Sequence, residues 1–350
     1  MMKKIRTGIA SFGMSGKIFH APFIQAHPGY ELAAIVERHK NDSRELYPDT
    51  ILYRSVEDML ADDSLELIIV NTPVQLHVEH TRAALLAGKH VVTEKPFTVT
   101  PEEARELDNL AKEKGLVLSV YQNRRYDCDY RAVKKVIGEN LLGKVVEAEI
   151  RYDRYRPEAS GKQHKEGDLP GSGTLHDLGA HLADQALQLF GRPEKVFADL
   201  RTLRSGVKAN DYFEILLYYP ELRVRLKSTM LARETYPAYI IHGTEGSFFQ
   251  QRSDVQEELL AAGQKPSLED WAPAPSQPDG LLHTRIGNEV VRKETTSSPG
   301  NYMGYYDDLY KTLREGAPNV VPAAQAVQTM ELLAAAERSA TEGKVIEFGM

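Results

Sequence analysis

Along the first third of the chain, short apolar runs recur and are separated by stretches with a helical period. The runs are KIRTGIA, ELAAIVE, LELIIVN, HVVTE and LVLSVY, ending near Tyr121. Their length and β-branched content predict strands, while HVEHTRAALLAGKH and TPEEARELDNLAKEKG between them predict helices. The second helix is marked at both ends. Thr100 suits the N-cap, Pro101 the first position, Glu103 completes a capping box, and Gly115 stops the run. Strands alternating with helices predict parallel βαβ units, so this region reads as a doubly wound α/β sheet.

The pattern then changes. A helix is expected over Asp127 to Glu139, followed by KVVEAEIRYDRYR, KVFADLRTLR, DYFEILLYY and LRVRLKSTML. Polar and apolar residues alternate in these runs, as in antiparallel strands with one covered face. One helix, LGAHLADQALQLFG, interrupts them. Gln256 to Gly280 is rich in Pro, Gly, Ala and Ser and reads as a long loop. YMGYYDDLYKTLREG and PAAQAVQTMELLAAAERSATEG predict two last helices before a short strand, KVIEF. No internal repeat is visible. The expected organisation is an α/β domain over residues 1–122 and an α+β domain with a mostly antiparallel sheet over 123–350.

Composition narrows the classes. A chain of 350 residues is about two domains by length. Its 42% apolar and 27% charged content is that of an ordinary globular protein. The formal net charge of -7, without a long run of either sign, argues against a nucleic-acid partner. Cys128 is the one cysteine, so no intrachain disulfide or cysteine metal site is expected, in keeping with a reducing compartment. Arg6, Gly8 and Gly13 break up the N-terminal apolar run, which fails as a signal segment, and no stretch approaches the ~20 apolar residues of a membrane span. A cytoplasmic protein with no membrane partner is expected.

The first strand leads into SFGMSGKIFHAP. A dinucleotide-binding turn places G-x-G-x-x-G between strand and helix, so that backbone approaches the pyrophosphate at the helix N-terminus. Gly13 and Gly16 occupy the second and third glycine positions, and Ser11 replaces the first. A phosphate-binding P-loop fails, because Ser11 and Ile18 stand where it needs glycine and a hydroxyl. Ser11, Phe12, Gly13, Met14, Ser15 and Gly16 are therefore candidate cofactor contacts, with a purely structural turn as the alternative. Glu37, at the end of the second strand, suits the ribose hydroxyls of NAD. Arg38 and Lys40 beside it would suit the 2′-phosphate of NADP. The balance leans slightly to NAD, with a solvated polar turn as the bland reading.

Two further constellations stand out. HVVTEKP ends a parallel strand on Glu94, Lys95 and Pro96, at the sheet edge where ligands of such folds bind; by itself it could be a solvated ion pair. In LHDLGAHLAD, Asp177 and His181 are four apart and share a helix face. They suit positioning and proton transfer, but equally a capped helix with a packed histidine. A metal site with His176 lacks a metal-binding pattern, and no metal is expected. Asn71, Thr72 and Pro73 end another strand and should face the cofactor, with His77 opening the next helix.

GMSGKIFHAPFI, NTPVQLHVEHTRAALLAGKHVVTEKP, YQNRRYDCDY, RYRPE and GTLHDLGAHLADQALQLFG, in that order, resemble the Gfo/Idh/MocA oxidoreductase family, most closely its scyllo-inositol dehydrogenase branch. The resemblance covers essentially the whole chain. It implies a Rossmann domain, an α+β domain with a large open sheet, and a polyol or sugar held between them beside NAD or NADP. It also implies hydride transfer at a secondary alcohol, with Lys95 at the reacting oxygen, His181 as acid/base and Asp177 as a positioning group. Glu94 would hold the nicotinamide ribose or orient the lysine, Asn123 would lie near the nicotinamide, and the Lys95–Pro96 bond can be cis. Arg124 and Arg125 fit interface salt bridges equally well.

Substrate contacts are expected from Tyr152, Arg154, Tyr155 and His164, which offer donors and flat surfaces. Relatives often carry Trp-Arg-Glu where this chain has QHKEG, and a tyrosine at His176, which leaves the 159–167 loop and the inositol assignment open. A homodimer or homotetramer through the second sheet is implied by analogy. The family also contains non-catalytic dinucleotide-binding regulators, and the fold hosts dihydrodiol or pigment reductases, so both stand as alternatives.

Overall fold

The computed structural model describes residues 3–234, 236–269 and 271–348, with the side chain of His164 outside the described set. It forms two compact units. The first takes residues 1–123 together with 255–272 and 301–327; the second takes 124–254, 273–300 and 328–350. A boundary drawn in sequence near residue 122 therefore captures most of the first unit but leaves out two returning segments.

The first unit holds β1 (Ile5–Ile9), β2 (Tyr30–Val36), β3 (Ile51–Tyr53), β4 (Leu67–Val70), β5 (His90–Thr93) and β6 (Leu118–Val120) in a parallel sheet of order β3-β2-β1-β4-β5-β6. β1 is flanked by β2 and β4, so the order reverses there and the crossovers leave a crevice at its carboxyl end. Helix Pro101–Lys114 follows the sequence expectation: Thr100 and Glu103 form the capping box and Gly115 closes it with φ of 64°.

The returning segments complete this unit. Tyr305 Oη donates to Ser119 Oγ at 2.9 Å, Tyr30 Oη to the Tyr306 carbonyl at 2.9 Å, and Val120 N to the Val321 carbonyl at 3.1 Å. Arg314, from helix Met303–Glu315, donates to the carbonyls of Lys3 and Lys4 and pairs with Glu66 at 2.9 Å. A ring of aromatics, Phe23 stacked on Tyr306 and Tyr121 edge-on to Tyr305, fills the contact.

The second unit holds β7 (Val145–Arg151), β8 (Lys195–Arg201), β9 (Tyr212–Tyr218), β10 (Arg223–Thr229), β11 (Tyr239–Gly243), β12 (Gly246–Gln250), β13 (Gly280–Ile286), β14 (Glu289–Thr295) and β15 (Ile346–Glu347). The order is β14-β13-β12-β11-β7-β10-β9-β8-β15, antiparallel except for β7 beside β10. β9 alternates buried and half-buried residues along its length, as a sheet covered on one face requires. The stretch expected as one loop contains helix Gln256–Ala261, and its last residue, Gly280, begins β13. Among the described residues no helix is long and apolar enough to cross a membrane.

Candidate functional site

At the carboxyl end of β1 the chain turns through Ser11 to Gly16 and enters a helix whose first turn, Gly16–His20, is wound to i→i+5 bonds. A β-carbon at Gly16 would lie 2.3 Å from the Ser11 carbonyl oxygen and 3.1 Å from Asn71 Nδ2, so this position admits only glycine. Asn71, after β4, donates to the Ser11 carbonyl at 2.8 Å. Its Oδ1 is buried with no hydrogen-bond partner among the described residues. A tight glycine turn, a helix start and an unanswered amide oxygen are the fittings a dinucleotide requires.

Next to the turn lies a cavity of about 460 Å³. Ser11, Phe12, Gly13, Arg38, Thr72 and Pro73 line it, and so do Glu37, His39, Lys40 and Arg54. Met14, by contrast, is 57% exposed. Glu37 is buried, and one oxygen of its carboxylate accepts from Ser43 N at 2.9 Å and Ser43 Oγ at 2.6 Å. Arg54 pins the same loop, donating to the carbonyls of Glu37 at 2.9 Å and Lys40 at 2.7 Å. The acid that suits a ribose is thus engaged by its own loop, while Arg38, His39 and Lys40 are exposed. Lys17 ties the glycine turn to this loop through Asp42 at 2.6 Å and holds that carboxyl below its ordinary range.

β5 ends at Thr93, and the Lys95–Pro96 bond is cis. Glu94 accepts from Ser15 Oγ and from Lys95 N at 3.1 Å, and His20 Nε2 lies 3.0 Å from its Oε1. Burial alone would raise the Glu94 pKa. The hydrogen bond and charge of His20, with Ser15, outweigh it and bring the carboxyl down to about 2. His77 does not line the cavity. It is buried with Nδ1 2.9 Å from the Pro96 carbonyl and Nε2 2.8 Å from the Thr72 carbonyl, and burial lowers its pKa. Asn123 is buried at the start of a short turn, Asn123–Tyr126.

In the second unit, Leu175–Gly179 forms another i→i+5 turn, continued by helix Ala180–Phe190. The spacing of four keeps Asp177 and His181 within one turn of each other despite the wider winding. His181 is 3% exposed. The Asp177 carboxylate accepts from Lys165 Nζ at 3.2 and 3.3 Å. Arg125 fixes the helix by a two-pronged pair with Asp184 at 2.8 and 2.5 Å. Arg124 pairs with Asp127 at 3.2 Å. His176 is buried, which lowers its pKa to about 4, and its Nδ1 is 3.7 Å from Glu337.

Arg154, Lys165 and Asp177 line one cavity of about 100 Å³. Tyr152 lies beneath three guanidinium groups, those of Arg252 at 4.4 Å and of Arg124 and Arg154 at 4.9 Å. Tyr155 is exposed under Arg233 at 4.2 Å and is absent from that cavity's lining. His164 belongs to the short helix Gln163–Glu166, but its side chain lies outside the described residues. Sequence reasoning passed over His20, Ser43 and Tyr306. A histidine four residues beyond the last glycine of the turn was the one available signal.

Two family models match: "Oxidoreductase family, NAD-binding Rossmann fold" over residues 5–122 and "Oxidoreductase family, C-terminal alpha/beta domain" over 134–348, both of Gfo/Idh/MocA type. The uncharacterized oxidoreductase YdgJ of Escherichia coli is 42% identical over 333 residues, 95% of each chain. The scyllo-inositol 2-dehydrogenase (NADP(+)) IolW of Bacillus subtilis is 37% identical, covering 98% of this chain and 95% of its own. A crystal structure of a putative oxidoreductase from Bacteroides fragilis superposes with a TM-score of 0.89 at 42% identity, covering 99% of this chain and 100% of that one.

Proposed function

The chain belongs to the Gfo/Idh/MocA oxidoreductase family, and on that premise we propose that this NAD(P)-dependent enzyme oxidises or reduces a secondary alcohol or ketone of a sugar, sugar acid or cyclitol. Bound nicotinamide supplies the hydride acceptor or donor. In this reading Lys95 donates a hydrogen bond to the reacting oxygen and steadies the charge that develops there. His181 takes the hydroxyl proton in oxidation and returns it in reduction. Asp177, paired with Lys165, orients the polyol, with Tyr152 and Arg154 as further contacts.

The observation that carries this reading is at the carboxyl edge of the first sheet. The Gly16 turn, the unanswered Asn71 oxygen and Lys95 follow the neighbouring strands β1, β4 and β5. The same edge favours NADP(H). One oxygen of Glu37 is taken by Ser43, and Arg38 and Lys40, with His39 between them, offer the charge a 2′-phosphate needs. This reverses the slight lean to NAD that Glu37 gives in the sequence. IolW, whose name records NADP(+), agrees with it. A homo-oligomer through the second sheet and a cytoplasmic location complete the proposal.

Nicotinamide absorbance, followed with NAD and NADP against inositols, aldoses and sugar acids, tests it. Turnover of at least one polyol, faster with NADP, is expected. A Lys95→Ala variant that binds cofactor and keeps full turnover would sink the catalytic assignment of Lys95, whereas cofactor binding by the parent chain with no turnover of any polyol would favour a dinucleotide-binding regulator.

A further inference from the structure

Two buried histidines hold the backbone on either side of Lys95. Before it, His20 lies 2.8 Å from Tyr306 Oη through Nδ1 and 3.0 Å from Glu94 Oε1 through Nε2. Its ring packs 4.6 Å from that of Tyr121, between centroids, and the residue is 0% exposed. Tyr306 is fixed in turn, donating to the Phe19 carbonyl at 2.8 Å. The other oxygen of Glu94 accepts from Lys95 N at 3.1 Å. After it, His77 sits between two carbonyls, with Nδ1 2.9 Å from that of Pro96 and Nε2 2.8 Å from that of Thr72, and the neutral ring donates to one of them.

The lysine's own amide is therefore tied through the Glu94 carboxylate to His20, and the carbonyl of the next residue, Pro96, lies against His77. The Glu94 carboxylate has both oxygens occupied within the protein, one by Ser15 and His20 and one by the Lys95 amide. A buried carboxylate is stable only when paired and hydrogen-bonded, and His20 meets that requirement from the side away from the lysine's own chain. We infer that His20 and His77 are positioning residues for Lys95, fixing where its side chain leaves the backbone at the sheet edge, with Tyr306 holding His20 in register. The inference rests on the reading that Lys95 meets the reacting oxygen.

The size of the effect follows from geometry: a catalytic group displaced by about 1 Å loses on the order of 100-fold in rate. The test is a double-mutant cycle in the full-length protein, with NADP(H) and the best-turned-over polyol of the panel. His20→Ala should lower kcat by roughly 30- to 100-fold, with KM and the NADPH Kd changed by no more than about threefold. His20→Gln keeps an N–H for Glu94 and should recover most of the loss. In a Lys95→Ala background, His20→Ala should cost nothing further in the residual rate. Should His20→Ala fail to fold, Tyr306→Phe removes the Nδ1 partner of His20 together with the bond to the Phe19 carbonyl and should lower kcat by about five- to tenfold. His77→Ala should behave as His20→Ala does.

Additive losses in the cycle, or a loss that falls on NADPH affinity instead of kcat, overturn the inference and make His20 a support of the glycine turn. Should Lys95→Ala keep full turnover, the proposed catalytic role fails and this inference fails with it. Should Lys95→Ala be impaired while His20→Ala and His77→Ala keep full kcat, the inference alone falls.

Discussion

Both units open a helix on a wide turn at the residues that matter, and they furnish the two turns differently. In the first unit, the turn Gly16–His20 carries a fully buried histidine held at both ring nitrogens, and both oxygens of the Glu94 carboxylate have partners. In the second, the turn Leu175–Gly179 carries Asp177, whose partner Lys165 has a side chain 40% exposed beside an open cavity. A cofactor is the same molecule at each turnover and rewards a rigid cradle. A substrate differs among relatives and is met by adjustable groups on a loop.

The comparison breaks most sharply at Gly16. Gly16→Ala forces a β-carbon onto the Ser11 carbonyl, and overpacking of about 3 kcal/mol corresponds to roughly a 100-fold loss of NADPH affinity, measured by nucleotide fluorescence titration. No such rigidity is expected at Asp177. The second effect concerns acid. His176 has its pKa lowered to about 4 by burial, so the unfolded chain binds the proton more readily between that value and the ordinary 6.5. Stability therefore falls as pH drops through this window, by up to about 3 kcal/mol near pH 4. Denaturant unfolding of His176→Phe across pH 7 to 4 should show a shallower slope than the parent chain.

A smaller effect is expected at the adjustable partner. Lys165→Met removes one charge from the cavity and should raise KM for the best substrate by about tenfold, while NADPH titration gives an unchanged Kd. A Kd that shifts as much as KM would erase the contrast between the two turns. The smallest lies in the rigid half. Ser43→Ala removes one of two hydrogen bonds on Glu37 and should move the NADP to NAD ratio of kcat/KM about three- to fivefold toward NAD.

Much of the first unit was legible in the sequence, because β1, β2, β4, β5 and β6 lie in short runs rich in apolar and β-branched residues and helix Pro101–Lys114 carries its own caps. β3 was not, since Ile51–Tyr53 is three residues long and partly exposed. β11 to β14 escaped for a related reason: Gly246 and Gly280 begin two of them, and in β14 most positions face solvent. The residues of the site were legible as types and their partners were not. That Glu37 meets Ser43, that Glu94 meets His20 and that His20 meets Tyr306 depends on side-chain direction and, for the last two, on contacts far apart in the chain. Nothing in the sequence separates an i→i+5 turn from an ordinary helix start, so both wide turns were invisible.

The return of residues 301–327 to the first unit sets an order on synthesis. Ser119 and Val120, on the last parallel strand, find partners at Tyr305 and Val321, and Lys3 and Lys4 find one at Arg314. A ribosome that has released only the first 122 residues presents a sheet with an open edge and an aromatic layer half built. The nucleotide fold closes only when residues 301–327 have emerged, so a chimera that exchanges cofactor domains at residue 122 would cut through it. A transplant that carries 255–272 and 301–327 along would move the complete unit.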